Sequence, residues 1–189
     1  MNLAKITCVV MCVLATACGS ESDESHEPLI FPNAGDEQTP PTTGDGAAVQ
    51  AWLDAGYYQD WQCEAEAHAP RGPSMHGMNR SCSNDLVSAF DGKAGSERPA
   101  GSAAVKEFWD SGKIIGRAAY VKTAAQSAQG DAWYWFVELE GMGVIANGLP
   151  SQDMVAKSAC VACHSAAGSD AGTSTSSHSG DFVFTQVDR

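Results

Sequence analysis

The feature that most constrains the fold of this chain is a pair of cysteines near its C-terminus. Cys160 and Cys163 are separated by two residues, and His164 follows directly. Two thiols at this spacing, on a tight turn that opens a helix, can bond to two vinyl groups on one edge of a porphyrin. The adjacent histidine then lies under the iron as its proximal ligand. The motif therefore predicts one covalently bound haem c, held by Cys160, Cys163 and His164.

Three other kinds of site use two cysteines at this spacing: a redox-active dithiol, half of a zinc site and a plain structural disulfide. A zinc site needs a second pair of ligands at suitable spacing. Cys63 and Cys82 do not provide one, because they lie 19 positions apart and lack the close spacing. A thioredoxin-type dithiol needs a βαβ pattern, which this sequence lacks. Haem is favoured, and a haem-free envelope protein with a disulfide in the motif is the weakest alternative.

The N-terminus has the pattern of a secretory signal. A lysine precedes an apolar run over residues 6–17, and Cys18 follows. The run is too short for a stable membrane span and suits export through the Sec route. The residues before Cys18 resemble a bacterial lipobox, although Leu14 lies four positions before the cysteine instead of three. We therefore expect residues 1–17 to be a lipoprotein signal peptide and Cys18 to be lipidated. The alternative is ordinary cleavage nearby, which leaves Cys18 as a free thiol.

Export determines what the remaining cysteines can do. The periplasm and the cell surface are oxidising, so cysteines there form disulfides. Once the haem motif and the lipid anchor are assigned, Cys63 and Cys82 remain in the mature chain, and we expect them to form a structural disulfide. In bacterial lipoproteins, an aspartate directly after the lipidated cysteine often retains the protein at the inner membrane. Here Gly19 and Ser20 follow Cys18 instead. The expected location is therefore the periplasm or cell envelope, with the anchor in the outer membrane.

The charge of the chain limits its partners. It carries 23 acidic and 11 basic side chains, which gives a formal net charge of −12. Nucleic acid is disfavoured as a partner, because phosphate binding needs a basic surface. An acidic surface is consistent with docking to a basic redox partner protein, since complementary charge steers encounter. Contact with a membrane is expected only through the lipid anchor.

Composition and hydrophobic periodicity divide the mature chain into a tether and a folded domain. Residues 18–46 are rich in Ser, Glu, Asp, Pro and Gly and are predicted to be a disordered tether, which leaves residues 47–189 as the haem domain. Helical patterns occur at residues 47–62, 84–90 and 151–158. Strand patterns occur at residues 102–109, 113–122 and 133–139. Residues 168–180 are predicted to be a loop, and 182–184 a strand or an extended tail packed on the core. The fold class is α+β, mainly an antiparallel sheet with a few short flanking helices.

Three segments resemble the cytochrome P-460 family, which includes the cytochromes c′-beta. Residues 99–107, with the sequence PAGSAAVKE, are similar to the family's Gly-x-x-x-Val-Lys-Glu strand. The sequence DAWYW at residues 131–135 resembles its Trp-containing strand. The haem motif followed by DFVFT at residues 181–185 resembles the end of the family's chains. The resemblance covers residues 60–189.

The resemblance implies an antiparallel sheet that supports one haem, in a homodimer. It implies redox chemistry on small nitrogen species, the oxidation of hydroxylamine or nitric oxide, at an open haem iron. It also makes Lys106 a candidate catalytic and haem-binding residue, because in the lysine-cross-linked members the lysine at this position bonds to the porphyrin. The alternative for Lys106 is an ordinary strand lysine that points to solvent.

The group on the other side of the iron determines which function is available. His76, Met75 and Met78 lie close together in sequence and could each supply a sixth ligand. A saturated iron suits electron transfer, whereas an open iron suits the binding of nitric oxide or carbon monoxide, or catalysis. The alternative for His76 is a loop residue that is hydrogen-bonded to backbone.

Oxidation of hydroxylamine also needs a proton acceptor near the reacting nitrogen, and a carboxylate is the natural choice. No Asp or Glu occurs between residues 113 and 130, although Glu138 and Glu140 follow the aromatic strand. The leading interpretation is therefore a monohaem cytochrome that oxidises hydroxylamine or nitric oxide at an open iron. The alternative is a non-catalytic haem protein that transfers electrons or binds nitric oxide or carbon monoxide, so whether the protein is an enzyme stays open.

Overall fold

A computed structural model describes residues 39–70, 75–90, 97–127, 129–167, 181–184 and 187. Its central feature is one sheet of six strands in the order β1-β2-β3-β4-β5-β6. Every neighbouring pair is antiparallel, so each strand pairs with the next along the chain. The strands are β1 (Gln62–Cys63), β2 (Asn79–Ser83), β3 (Ala103–Asp110), β4 (Lys113–Lys122), β5 (Trp133–Leu139) and β6 (Gly143–Gly148).

Short helices flank this sheet. They are α1 (Gly46–Asp54), a 3₁₀ turn (Tyr57–Asp60), α2 (Asp85–Ser88) and α3, in which a π-helical segment (Ala156–Val161) continues into an α-helical turn (Ala162–His164). Two of the helices begin at side-chain caps. Asp45 accepts backbone N–H groups at the start of α1, and Asn84 does so at the start of α2. Caps of this kind satisfy donors that have no partner inside the helix.

One face of the sheet is covered by α1 and the 3₁₀ turn. Trp52 and Tyr58 from these turns are buried against Val105 of β3 and Phe136 of β5, and the last two are fully buried. Because alternate side chains of a strand lie on opposite faces, the intervening residues belong to the other side of the sheet.

The other face carries the Cys-x-x-Cys-His helix, and we call it the motif face. α3 and the C-terminal residues around Val183 pack there against strand side chains of a second cluster, which includes Ala104, Tyr120, Trp133 and Trp135. The tail predicted at residues 182–184 therefore packs on the core, and Val183 is fully buried. No helix of the described ranges is both long enough and apolar enough to cross a bilayer.

The α+β class and the antiparallel sheet predicted from the sequence are confirmed. The strands predicted at residues 113–122 and 133–139 have the observed bounds, and the one predicted at 102–109 is shifted by one residue. β1, β2 and β6 were not predicted. The helix predicted over residues 47–62 ends at Asp54, and a 3₁₀ turn and Gln62 of β1 follow it. The helix predicted over residues 151–158 begins later, at Met154, and continues further, through His164.

The predicted disulfide between Cys63 and Cys82 is present. It joins residues that lie directly opposite each other on β1 and β2, at the edge of the sheet. The signal peptide, Cys18 and most of the tether, like the loop predicted at residues 168–180, lie outside the described residues.

Candidate functional site

The Cys-x-x-Cys-His segment is held on the motif face by hydrogen bonds at the start of α3. One carboxylate oxygen of Asp153 accepts the backbone N–H of Ala156 at 2.8 Å, and the other accepts that of Asn147 in β6 at 3.0 Å. Ala156 is fully buried against the sheet. Cys160 then lies in the π-helical part of α3 and Cys163 in its last turn. Single π-helical turns within helices occur frequently at functional sites.

The two motif thiols are not bonded to each other. Cys160 is half-buried beside the cluster of the motif face, and Cys163 is exposed. Burial, with a smaller contribution from Asp153, raises the pKa of Cys160 to about 11, so this thiol is neutral at pH 7. In the part of the chain that is described, no group of three His, Cys, Asp or Glu side chains is arranged to hold a metal ion.

His164 has a defined tautomer. Its Nδ1 lies 2.7 Å from the carbonyl oxygen of Phe182. Because a carbonyl can only accept, Nδ1 carries the proton and Nε2 keeps its lone pair. Burial lowers the pKa of His164 to about 3, so the ring is neutral at pH 7. A neutral imidazole with one nitrogen donating to a backbone carbonyl is the usual form of a metal-binding histidine.

Aromatic side chains surround the His164 ring. The ring centroids of Trp135, Phe184 and Tyr120 lie 4.7, 5.2 and 5.8 Å from its own. The indole Nε1 of Trp135 is buried and has no hydrogen-bond partner among the described residues. A buried donor of this kind is costly unless an acceptor is supplied. Among the described residues, this N–H group beside the His164 ring therefore has no acceptor.

The sheet beneath the site is partly open. Lys106, Ala118 and Val137 are neighbours across β3, β4 and β5, and all three are only half-buried on the motif face. On the opposite face, the adjacent residues Ala119 and Phe136 are almost completely buried. The central strands thus have one face that is fully covered and one that the described residues cover only in part.

Lys106 lies on the motif face, two positions along β3 from Ala104 of the motif-face cluster. Its charge contributes to lowering the pKa of both His164 and His76, which means that it lies near both rings. Lys106 therefore lies on the same face of the sheet as the Cys-x-x-Cys-His helix, and its predicted role in haem binding stays a prediction. A bond between Lys106 and the porphyrin stays a prediction.

His76 is the candidate sixth ligand that lies near His164. Its ring stacks on Phe108 of β3, with centroids 5.4 Å apart, and its centroid is 6.4 Å from that of His164. Burial and, to a smaller extent, Lys106 lower its pKa to about 4. Met75 and Met78 are exposed, with 92% and 45% of their surface accessible.

Neither carboxylate that follows the aromatic strand reaches this site. Glu138 binds Arg117 and Gln50, on the sheet face that α1 covers. Glu140 pairs with Lys113 at the end of the β4–β5 hairpin, where both side chains are exposed. The candidate proton acceptors that the sequence offered thus lie elsewhere on the fold.

One buried ion pair, which the sequence patterns did not predict, lies next to Phe182. Lys122 is completely buried at the end of β4, and its Nζ lies 2.6 Å from Oδ2 of Asp181. The same oxygen accepts the backbone N–H of Arg98 at 2.7 Å. A buried lysine must be paired, so a lysine at the end of an apolar strand is the signal that could have indicated it. Its partner could not be identified, because the two residues lie 59 positions apart.

Comparison of the chain with protein-family models, with curated proteins and with solved structures found no match.

Proposed function

We propose that this protein is a monohaem c-type cytochrome of the cell envelope, anchored to lipid through Cys18. Cys160 and Cys163 would hold the haem by thioether bonds, and Nε2 of His164 would bind the iron. The observation that carries the proposal is the hydrogen bond from Nδ1 of His164 to the Phe182 carbonyl, which leaves the other ring nitrogen available to a metal.

Three further features fit a haem. The two motif thiols are unpaired and lie on the same short helix as the histidine. The buried indole N–H of Trp135 has no acceptor within the described residues. The sheet at Ala118 and Val137 is half-open on the side where His164 lies. When bound, a haem supplies a one-electron iron couple and, where a coordination position is open, a site for small ligands.

Electron transfer is the function that the geometry supports best, because of His76. Two imidazoles that bind one metal ion can have ring centroids about 6 Å apart, given metal–nitrogen bonds of about 2 Å. The separation between His76 and His164 is 6.4 Å. We therefore propose that His76, together with His164, would bind the iron when haem is present. An iron with two protein ligands suits the transfer of electrons to a partner protein.

Redox chemistry on small nitrogen species is the second candidate. It rests on the resemblance to the cytochrome P-460 family and on the position of Lys106, near both histidines on the motif face. Against it, Glu138 and Glu140 are paired away from the motif face and cannot accept a proton there. A homodimer and a basic redox partner remain predictions for either function.

The test is to produce the full chain with haem-maturation machinery and to measure haem attachment and iron spin state. Mass spectrometry and a pyridine haemochrome assay report covalent haem. We expect a low-spin ferric spectrum and no binding of carbon monoxide by the ferrous protein, because His76 occupies the sixth position.

The alternatives give different results. A high-spin ferric haem that binds carbon monoxide and oxidises hydroxylamine with an electron acceptor would exclude electron transfer as the main function and favour the second candidate. A chain that carries no haem after maturation would contradict the proposal as a whole.

A further inference from the structure

The geometry points to Lys122 and Asp181 as positioning residues for His164: their buried ion pair fixes the backbone that directs the Phe182 carbonyl to Nδ1 of the histidine. This inference rests on the proposed function, since the ring so positioned is the one assigned to the iron. It concerns residues that do not touch the haem motif themselves.

The first step is the anchoring of Asp181. One carboxylate oxygen receives Lys122 Nζ at 2.6 Å and the backbone N–H of Arg98 at 2.7 Å. The other receives the indole N–H of Trp133 at 3.4 Å. Lys122 and Trp133 belong to adjacent central strands, where they are paired directly. The carboxylate is therefore attached to two fully buried side chains at the paired ends of β4 and β5.

The second step is the backbone that follows. Asp181 and Phe182 both have positive φ, 52° and 65°. Each residue in the left-handed region costs about 1–2 kcal/mol unless it is glycine. Two such residues in succession persist only where the surroundings determine their conformation. The anchored Asp181 side chain supplies that constraint on one of them directly.

The third step is what this conformation achieves. The carbonyl of Phe182 accepts Nδ1–H of His164 at 2.7 Å, and Phe184, two residues on, lies against the same ring. The partner that accepts from a metal-binding histidine fixes both its tautomer and its orientation. A shift of the Asp181–Phe182 backbone would thus release the histidine from this orientation.

The buried ion pair is not expected to make a large net contribution to the free energy of unfolding. Buried ion pairs cost desolvation, and replacing both partners with neutral side chains of similar size is often neutral or stabilising. A purely structural role therefore predicts that neutralising the pair leaves His164 unchanged. A positioning role predicts that the His164 ring of a folded, neutralised variant is held less firmly by the Phe182 carbonyl.

The experiment compares Lys122→Met/Asp181→Asn with the wild type as haem-loaded protein. Asparagine keeps the size of aspartate and tolerates the left-handed region. The matched control is Lys113→Met/Glu140→Gln, which neutralises an exposed pair at 2.9 Å between the ends of β4 and β5. Hydrogen exchange at Nδ1 of His164, followed by NMR, and the midpoint reduction potential are measured in all three proteins.

We expect exchange at Nδ1 to be about tenfold faster in the double variant, as for the loss of one hydrogen bond, and the potential to shift. The control should match the wild type in both measurements. If the double variant does not fold, Asp181→Glu carries the same test, because it keeps both charges of the buried pair and moves the carboxylate by one methylene.

The outcomes separate this inference from the proposed function. Unchanged exchange and potential in a folded, haem-loaded variant would overturn the positioning role and leave the proposed function intact. A wild-type chain without attached haem would overturn both.

Discussion

The imidazole rings of His76 and His164 lie 6.4 Å apart, centroid to centroid, although one belongs to the loop before β2 and the other to α3. Phe108 supports the first ring by stacking, and the Phe182 carbonyl orients the second. The two histidines most able to bind an iron are thus held by separate parts of the fold.

The first prediction concerns His76. His76→Ala should convert the ferric haem from low-spin to high-spin and allow the ferrous protein to bind carbon monoxide, because a coordination position becomes open. Electronic absorption and EPR spectra measure the change. His68→Ala is the control, since His68 is hydrogen-bonded to Glu64 and the Ala69 carbonyl. Identical spectra for wild type and His76→Ala would show that His76 is not an iron ligand.

The second prediction concerns Lys106. The resemblance to the lysine-cross-linked cytochromes predicts a strongly red-shifted main absorption band, because a bond to the ring distorts the macrocycle. Lys106→Ala should return the spectrum to that of an ordinary c-type haem, whereas Lys113→Ala, at an exposed lysine, should not change it. An ordinary spectrum in the wild type, with no effect of Lys106→Ala, would mean that Lys106 is not bonded to the haem.

The strands that could be predicted are those whose own residues define them. β4 and β5 have β-branched and aromatic side chains between turn residues, and their bounds were predicted correctly. β2, with the sequence NRSCS, has small and polar side chains, and its pairing with β3 and its disulfide to β1 make it a strand. Such long-range pairing is not encoded in a local pattern.

The candidate site likewise has residues that a local sequence pattern predicts and groups that only the fold brings into place. Cys160, Cys163 and His164 could be predicted as the candidate site because their spacing in sequence is the chemical signal. The groups that orient them could not, since the Phe182 carbonyl is a backbone atom that any residue could provide. Glu138 was ambiguous for a similar reason, because its face depends on the register of β5 against β4.

The third prediction tests the haem attachment. Cys160→Ser and Cys163→Ser should each reduce the number of thioether bonds to one, and the double variant should carry no covalent haem. Mass spectrometry of the denatured protein measures the attached haem. The control is Cys63→Ala/Cys82→Ala, whose cysteines form the disulfide and should not affect attachment. Covalent haem in the motif double variant would contradict the assignment.

The fourth prediction concerns the stability supplied by the disulfide. Removing it in Cys63→Ala/Cys82→Ala should lower the free energy of unfolding by about 3 kcal/mol, through the greater freedom of the unfolded chain. The two cysteines are 19 positions apart, so the loop they close is of moderate length. Denaturant unfolding measures the loss. An unchanged midpoint after mutation or mild reduction would show that the disulfide does not contribute.

The fifth prediction compares two glycines that share a backbone conformation and differ in their surroundings. Gly130 and Gly141 have φ of +72° and +79°, so alanine is strained by a similar amount at both. A Cβ at Gly130 would lie 2.7 Å from Cε1 of Phe182, whereas at Gly141 it would meet no atom within 4 Å.

Gly141→Ala should therefore lower the free energy of unfolding by about 1–2 kcal/mol, the cost of a left-handed alanine. Gly130→Ala should cost about 1–3 kcal/mol more, because the Phe182 ring must move. That movement would displace the carbonyl that orients His164, so Gly130→Ala should also shift the reduction potential while Gly141→Ala does not. Denaturant unfolding and potentiometry measure the two effects. Equal stabilities and potentials in the two variants would show that the contact with Phe182 constrains neither the fold nor the histidine.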